Sequence, residues 1–377
     1  MPSYRKHRIY FLDIIRIICA LLIFMRHSIT MYGCTYGSQS VDEVITALTS
    51  PVMSMFFILS GFSINYSNYS NQEWDYQKTR QFYIKRLVQI MPTYVLIHVL
   101  WLAFGRDSFI RWLFLTPFEL TVLQSMYPNI FGVLHNGGTW FISCLLISYL
   151  LYPAIRGILF HQKPKTIFLS TAVTLFLLVY LPAIGNYYAL GGIYSNPIFR
   201  SLEFAFGILI SNCTILASQF IKDEKNQLSK NALGTGFIFI GSVIFVNFLA
   251  NPTMIGNPKL GLSIAQLIIY PFFALALSIS TIMRCSVLEE NKLLKYLSSL
   301  TYYFYILQLV LWKITDAISG LIEKTVGISL SSGSARIALS FTICILMSAL
   351  VGSFFDKPIK KFCFNRFSVF NQKSNQA

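Results

Sequence analysis

Charge is what this chain has least of. Only 12% of its 377 residues are Asp, Glu, Lys or Arg, against roughly 25% in a soluble domain. Acidic residues are scarcest, 15 against 30 basic ones. So little charge cannot cover an ordinary soluble surface. With 55% hydrophobic residues and a mean hydropathy of +0.58, the chain reads as a polytopic membrane protein. The net charge of +15 would suggest a nucleic-acid partner in a soluble protein. Here it is expected to mark loops held in the cytoplasm, and no nucleic acid is expected. Cys19, Cys34, Cys144, Cys213, Cys285, Cys344 and Cys363 lie mostly in apolar runs, with no CxxC and no paired spacing. Neither a disulfide framework nor a zinc site is therefore indicated. No glycine-rich phosphate loop is present. Linkers, low-complexity tracts and internal repeats are missing, and no soluble domain fits before residue 11 or after residue 356. The chemistry is therefore expected in or beside a membrane bundle.

Long apolar runs are what the chain has instead. Runs near the ~20 residues needed to cross a bilayer fall at about 11–32, 43–66, 86–105, 139–160, 166–184, 198–217, 233–250, 261–283, 296–316 and 335–355. The expectation is an all-α bundle of about ten transmembrane helices in one integral-membrane domain, residues 1–377. The first run is too long for a signal peptide and has no small-x-small cleavage site, so it is read as an uncleaved span. Segment 109–124 holds Arg111, Pro117 and Glu119 and reads as interfacial or re-entrant. With the N-terminus inside, twenty-one Lys and Arg residues fall on the cytoplasmic side and six outside; Arg16, Arg26 and Arg200 lie within spans. The asymmetry predicts cytoplasmic termini.

The first span carries the most informative pair. Arg16 and His27 are eleven residues apart in FLDIIRIICALLIFMRHSI. On an α-helix that is three turns plus roughly 20°, so both share a face about 16 Å apart along the axis. Ionisable residues at membrane depth are costly and mark functional sites by default. Asp13 is placed to pair with Arg16 at i,i+3. The plainer readings are a helix-end ion pair with a snorkelling arginine and an interfacial histidine.

Other candidates are fewer. Ser60-Gly61 breaks the second span, either for close helix packing or to place Ser60 beside a cofactor. Lys85 and Arg86 enter the third span, as positive-inside anchors or, for Arg86, as a phosphate fork. Arg16 is expected near the same inner face and would share a cationic mouth with them, suited to an anionic ligand. Arg200 and Glu203 are i,i+3 on the sixth span and read equally as a structural clamp or an acceptor-side group. Trp140 suits either the apolar core or stacking on a sugar. His98 reads as a packed helix histidine and Cys144 as inert. His135 could approach His27, but two histidines without a third ligand make no convincing metal site, so none is expected.

FLDIIRIICALLIFMRHS resembles the N-terminal Arg-x10-His signature of the family-3 membrane acyltransferases. Further stretches resemble that family in order: FFILSGF at Phe56–Phe62, YIKRLVQIMP at Tyr83–Pro92, WFISCLLISYLLYP at Trp140–Pro153, RSLEFAFG at Arg200–Gly207, TYYFYILQ at Thr301–Gln308, and Asp356-Lys-Pro358. The resemblance covers about residues 8–360. Three positions depart from the family pattern. Gln89 stands where a second arginine is common, Leu145 where many members carry a glutamate, and Gln308 where a histidine is usual.

The resemblance implies transfer of an acyl group, most often acetyl, from cytoplasmic acyl-CoA to a hydroxyl of a cell-envelope or exported carbohydrate, free or lipid-linked. His27 and Arg16 would be catalytic. Arg86, Lys85, Ser60 and Tyr83 would lie on the donor side, and Trp140, Arg200 and Glu203 on the acceptor side. Acyl-CoA would be a substrate, with no permanently bound cofactor. The chain would complete transfer itself or hand the acyl group to a separate extracytoplasmic transferase, in a bacterial inner or plasma membrane. A glycan or lipid-precursor flippase fits the polytopic pattern too, as does a sensor or scaffold without turnover.

Overall fold

The computed structural model describes residues 8–69, 73–105, 108–127, 134–188, 193–220, 261–282, 290–327 and 333–374. Every regular element among them is helical. The helices are α1 (Tyr10–Tyr32), α2 (Gln39–Asn68), α3 (Tyr76–Phe104), α4 (Phe109–Leu120), α5 (Trp140–Phe160), α6 (Pro164–Tyr187), α7 (Pro197–Phe220), α8 (Gly261–Ile282), α9 (Lys292–Val326), α10 (Gly333–Leu350) and α11 (Lys357–Ser374). A π-helical turn, Val351–Asp356, joins the last two.

Eight described helical segments are long and apolar enough to cross a membrane: Tyr10–Tyr32, Gln39–Asn68, Tyr76–Phe104, Gly137–Phe160, Pro164–Pro182, Pro197–Ser218, Lys292–Val326 and Gly333–Phe367. Eight such segments stand against the expected ten. The predicted span 233–250 lies outside the described residues. At 261–283 the structure has α8, whose part Ile269–Ile282 is a shorter apolar helix. Segment 109–124 holds the twelve-residue α4. At 1.5 Å per residue it is about 18 Å long, well short of a hydrocarbon core of ~30 Å.

Several helices outrun their apolar runs. α3 begins ten residues before its predicted span, because the Asp75 carboxylate accepts from the Lys78 amide at 2.7 Å and caps the helix there. Hydropathy marks what can sit in lipid, whereas caps decide where helix begins. Surface chemistry is inverted relative to a soluble fold. α6 leaves Leu169, Val173, Phe176 and Tyr180 exposed on one face, a stripe suited to lipid, while Asn65, Arg200, Glu203 and Asp356 are buried.

The chain forms two compact units. The first comprises residues 1–26, 36–73 and 151–298, and the second residues 27–35, 74–150 and 299–377. In the first, α2 lies directly on α7. A Cβ on Gly61 would stand 1.9 Å from the Phe204 carbonyl oxygen, and one on Gly207 2.1 Å from that of Ile58. Only glycine permits this backbone approach. The seam continues through Asn65, whose Nδ2 donates to Asn212 Oδ1 at 2.8 Å and Ser211 Oγ at 3.2 Å. In the second unit, Asp356 is fully buried and accepts from Thr93 at 3.1 Å and Tyr303 at 2.6 Å, with Lys360 also paired to it. Tyr302 donates to the Ile90 carbonyl at 2.8 Å. The Asp-Lys-Pro motif thus ties the π-helical turn to α3 and α9.

Candidate functional site

α1 is one unbroken helix, so Arg16 and His27 keep the shared face that eleven helical steps dictate. Arg16 belongs to the first unit and His27 to the second. Asp13 is buried beneath three partners. Arg8 pairs with it at 2.7 Å, Ser298 donates to it at 2.6 Å, and Arg16 stands 3.5 Å away. Arg16 also donates to Ser63 at 2.9 Å, and 31% of its side chain stays exposed. Its guanidinium is therefore steadied but still reachable. His27 is half-buried, and its carbonyl accepts from Thr30 at 3.3 Å.

α3 carries Tyr83, Lys85 and Arg86. The Tyr83 hydroxyl donates to the Leu150 carbonyl at 2.9 Å, which leaves its phenol a tie to α5. Lys85 is exposed. The Arg86 guanidinium stacks over Phe82 and Tyr149 at 5.2 and 5.4 Å and donates to Gln89 at 3.1 Å. Its buried Nε has no hydrogen-bond partner among the described residues. Gln89, in place of a second arginine, supplies an acceptor that orients Arg86. On α2 the Ser60 hydroxyl donates to the Phe56 carbonyl of its own helix at 2.8 Å, while neighbouring Gly61 makes the helix contact. The packing reading of Ser60-Gly61 matches this geometry.

Arg200 and Glu203, on α7, form a closed clamp. Nη1 of Arg200 donates to both Glu203 oxygens at 3.0 and 2.8 Å and to Ser54 at 3.1 Å; its Nε donates to the Tyr194 carbonyl at 2.8 Å. Tyr270 donates to Glu203 at 2.7 Å. Tyr194, Phe57 and Phe199 rings surround the guanidinium at 5.1–5.7 Å. Burial pushes the Tyr194 phenol up, with the Arg200 charge opposing it. Both charged side chains are at most 1% exposed. The clamp binds α7 to α2 and α8 and spends its donors inside the protein. Trp140 is the first residue of α5, buried, with its indole edge-on to Phe141.

Two departures from the expected motifs also find their places. Leu145 is buried and apolar. Gln308 is buried, donates to the Tyr305 carbonyl at 3.0 Å, and leaves its Oε1 without a partner among the described residues.

A family model described as an acyltransferase domain matches residues 9–355. The chain belongs to the family-3 membrane acyltransferases. No curated protein and no solved structure matches it. This acyltransferase is a multi-pass membrane protein, and the match spans every motif quoted above except the closing Asp356-Lys-Pro358, which lies just beyond it.

Sequence reasoning missed two features of this acyltransferase. The first is a cavity of about 250 Å³ in the first unit, lined by Asn65, Tyr69, Arg156, Phe160, Gln162 and Asn212 among others. Arg156 is buried, stacked over Phe160 at 5.5 Å. The second is a buried trio in the second unit. His98 Nδ1 and His135 Nδ1 lie 3.0 and 3.1 Å from the same oxygen of Glu119, whose other oxygen accepts from the His135 amide at 2.8 Å. Reading the sequence paired His135 with His27 and found no third ligand; the structure joins it to Glu119 and His98. Nothing in their spacing announces this, because α3, α4 and the loop before α5 meet only in three dimensions.

Proposed function

We propose that this acyltransferase moves an acetyl group from cytoplasmic acetyl-CoA to a hydroxyl of a cell-envelope or exported carbohydrate. The observation that carries the reading is α1, which holds a partly exposed guanidinium at Arg16 and an imidazole at His27 on one face, about 16 Å apart. That span suits a donor with anionic phosphates at one end and a thioester at the end of a thin pantetheine arm. Arg16 and Arg86 are the donor-side guanidinium groups of this reading, each a fork well shaped for a phosphate. Lys85 adds exposed positive charge, and Tyr83 positions the end of α3. Trp140 is the acceptor-side residue of this reading. Arg200 and Glu203 support the acceptor side through their clamp.

His27 acts as general base, since an unperturbed imidazole titrates near working pH. It takes the proton of the acceptor hydroxyl as that oxygen attacks the thioester carbonyl. The C–S bond breaks as the C–O bond forms, and His27 returns the proton to the leaving thiolate. The products are the O-acetylated carbohydrate and free CoA. In the variant route His27 carries the acetyl group covalently.

The test uses purified protein in lipid nanodiscs with acetyl-CoA labelled on its acetyl group. Wild type is expected to bind and slowly cleave the thioester, His27→Ala to bind without cleaving, and Arg16→Ala to lose binding. Wild-type cleavage by folded, inserted His27→Ala would rule out both routes. Export of a glycan with no acyl-CoA dependence would favour the flippase reading instead.

A further inference from the structure

We propose that His98, Glu119 and His135 form a binding site for a divalent transition-metal ion, with zinc as its occupant. This inference is independent of the acyl-transfer reading.

The donor set is the first reason. Two imidazole nitrogens and one carboxylate oxygen match zinc's preference, whereas calcium or magnesium would need an oxygen cage. The second reason is convergence. One ligand atom from each residue lies within 4.8 Å of the other two, and both Nδ1 atoms already stand 3.0–3.1 Å from Glu119 Oε2. Zinc bonds of ~2.0–2.1 Å in a tetrahedral site separate neighbouring ligands by about 3.3–3.4 Å. Each nitrogen–oxygen gap therefore needs only a few tenths of an ångström to admit the ion.

Electrostatics favours occupancy too. The Glu119 side chain is 0% exposed, and those of His98 and His135 are 3% and 0% exposed. The side-chain groups that meet the carboxylate are imidazoles, which are neutral when they serve as ligands. A carboxylate buried this way is costly, and a divalent cation offsets that cost. His98 Nε2 has no hydrogen-bond partner among the described residues. Ligation through Nδ1 places the ring proton on Nε2.

Two of the three ligand residues are also held through their backbone carbonyls. Trp112 Nε1 donates to the His98 carbonyl at 2.8 Å, and the Tyr94 hydroxyl donates to the Glu119 carbonyl at 2.7 Å. Gln124 Nε2 in turn donates to the Tyr94 hydroxyl at 3.0 Å. Val122, three residues beyond Glu119, adopts a φ of 59°, strained for a β-branched residue. Its amide donates to Glu119 and its carbonyl accepts from Ser143, which hold it there. The backbone around Glu119 is thus fixed, and three protein ligands leave a fourth position for water or substrate.

The experiment purifies the full chain through a tag without histidine, on resin without nickel, from cells grown with zinc. Metal content is measured by mass spectrometry after exhaustive desalting. Wild type is expected to keep about one zinc per chain, and Glu119→Gln and His135→Gln to lose it. Tyr94→Phe should weaken zinc binding about tenfold by releasing the support behind Glu119. Cobalt exchanged into wild type should give the visible absorption of a tetrahedral ion. A metal-free wild type whose melting temperature responds to neither zinc nor chelator would overturn the proposal and leave the trio as a hydrogen-bonded carboxylate clamp. Equal zinc in wild type and Glu119→Gln would overturn it as well, by placing the ion elsewhere.

Discussion

Arg200 and Arg16 are the same residue type, in the same unit, on helices of membrane-spanning character, and they are built for opposite ends. Arg200 meets a carboxylate on both oxygens, a hydroxyl, a carbonyl and three aromatic rings, with its side chain 1% exposed. Arg16 donates to Ser63 at 2.9 Å, stands 3.5 Å from the Asp13 carboxylate that Arg8 holds more closely, and keeps 31% of its side chain exposed. A saturated buried charge fixes helices; a steadied but exposed one is available to a ligand. The difference lies in exposure, not in the residue type.

The largest effect that sharpens this contrast is expected at the clamp. Arg200→Ala leaves Glu203 buried without its cation and should cost about 3–5 kcal/mol of stability. Thermal unfolding in detergent checks it. The pair Arg200→Met with Glu203→Leu should recover much of that loss, because a buried ion pair contributes far less than a broken one costs. If Arg200→Ala melts like wild type and loses activity alone, the clamp is a working site.

A smaller loss is expected at the helix seam. Gly61→Ala places a methyl group on the Phe204 carbonyl and should cost about 1–3 kcal/mol through the forced separation of α2 and α7. An unchanged melting temperature would mean that the seam opens freely. The least effect is expected one residue earlier. Ser60→Ala removes a hydroxyl that, among the described residues, bonds to its own helix, and stability should move within about ±0.5 kcal/mol. A selective loss of donor binding in Ser60→Ala would return that residue to the donor side.

Much of the fold was legible because membrane helices announce themselves by length and apolarity. The same criterion misplaced their ends. Asp75 begins α3 in polar sequence, and hydropathy has no term for a cap. Pairs close in sequence were legible as well, since Asp13–Arg16 and Arg200–Glu203 are i,i+3 on continuous helices. Their remaining partners were not. Ser54 lies 146 residues from Arg200, and Tyr270 lies 67 from Glu203. The trio was invisible for the same reason. Glu119 is 16 residues from His135, with which it shares no helix, and in the sequence it stood only among the residues that made 109–124 read as interfacial or re-entrant. Glycine was the exception at long range, because its missing side chain permits close approach whatever the partner.

Arg16→Ala and Arg200→Ala, measured side by side for acetyl-CoA binding and melting temperature in nanodiscs, test the central claim most directly. The account predicts that Arg16→Ala melts with wild type and no longer binds acetyl-CoA, while Arg200→Ala melts early and the fraction still folded binds normally. A destabilised Arg16→Ala that keeps its binding, beside a stable Arg200→Ala that loses it, would contradict the account.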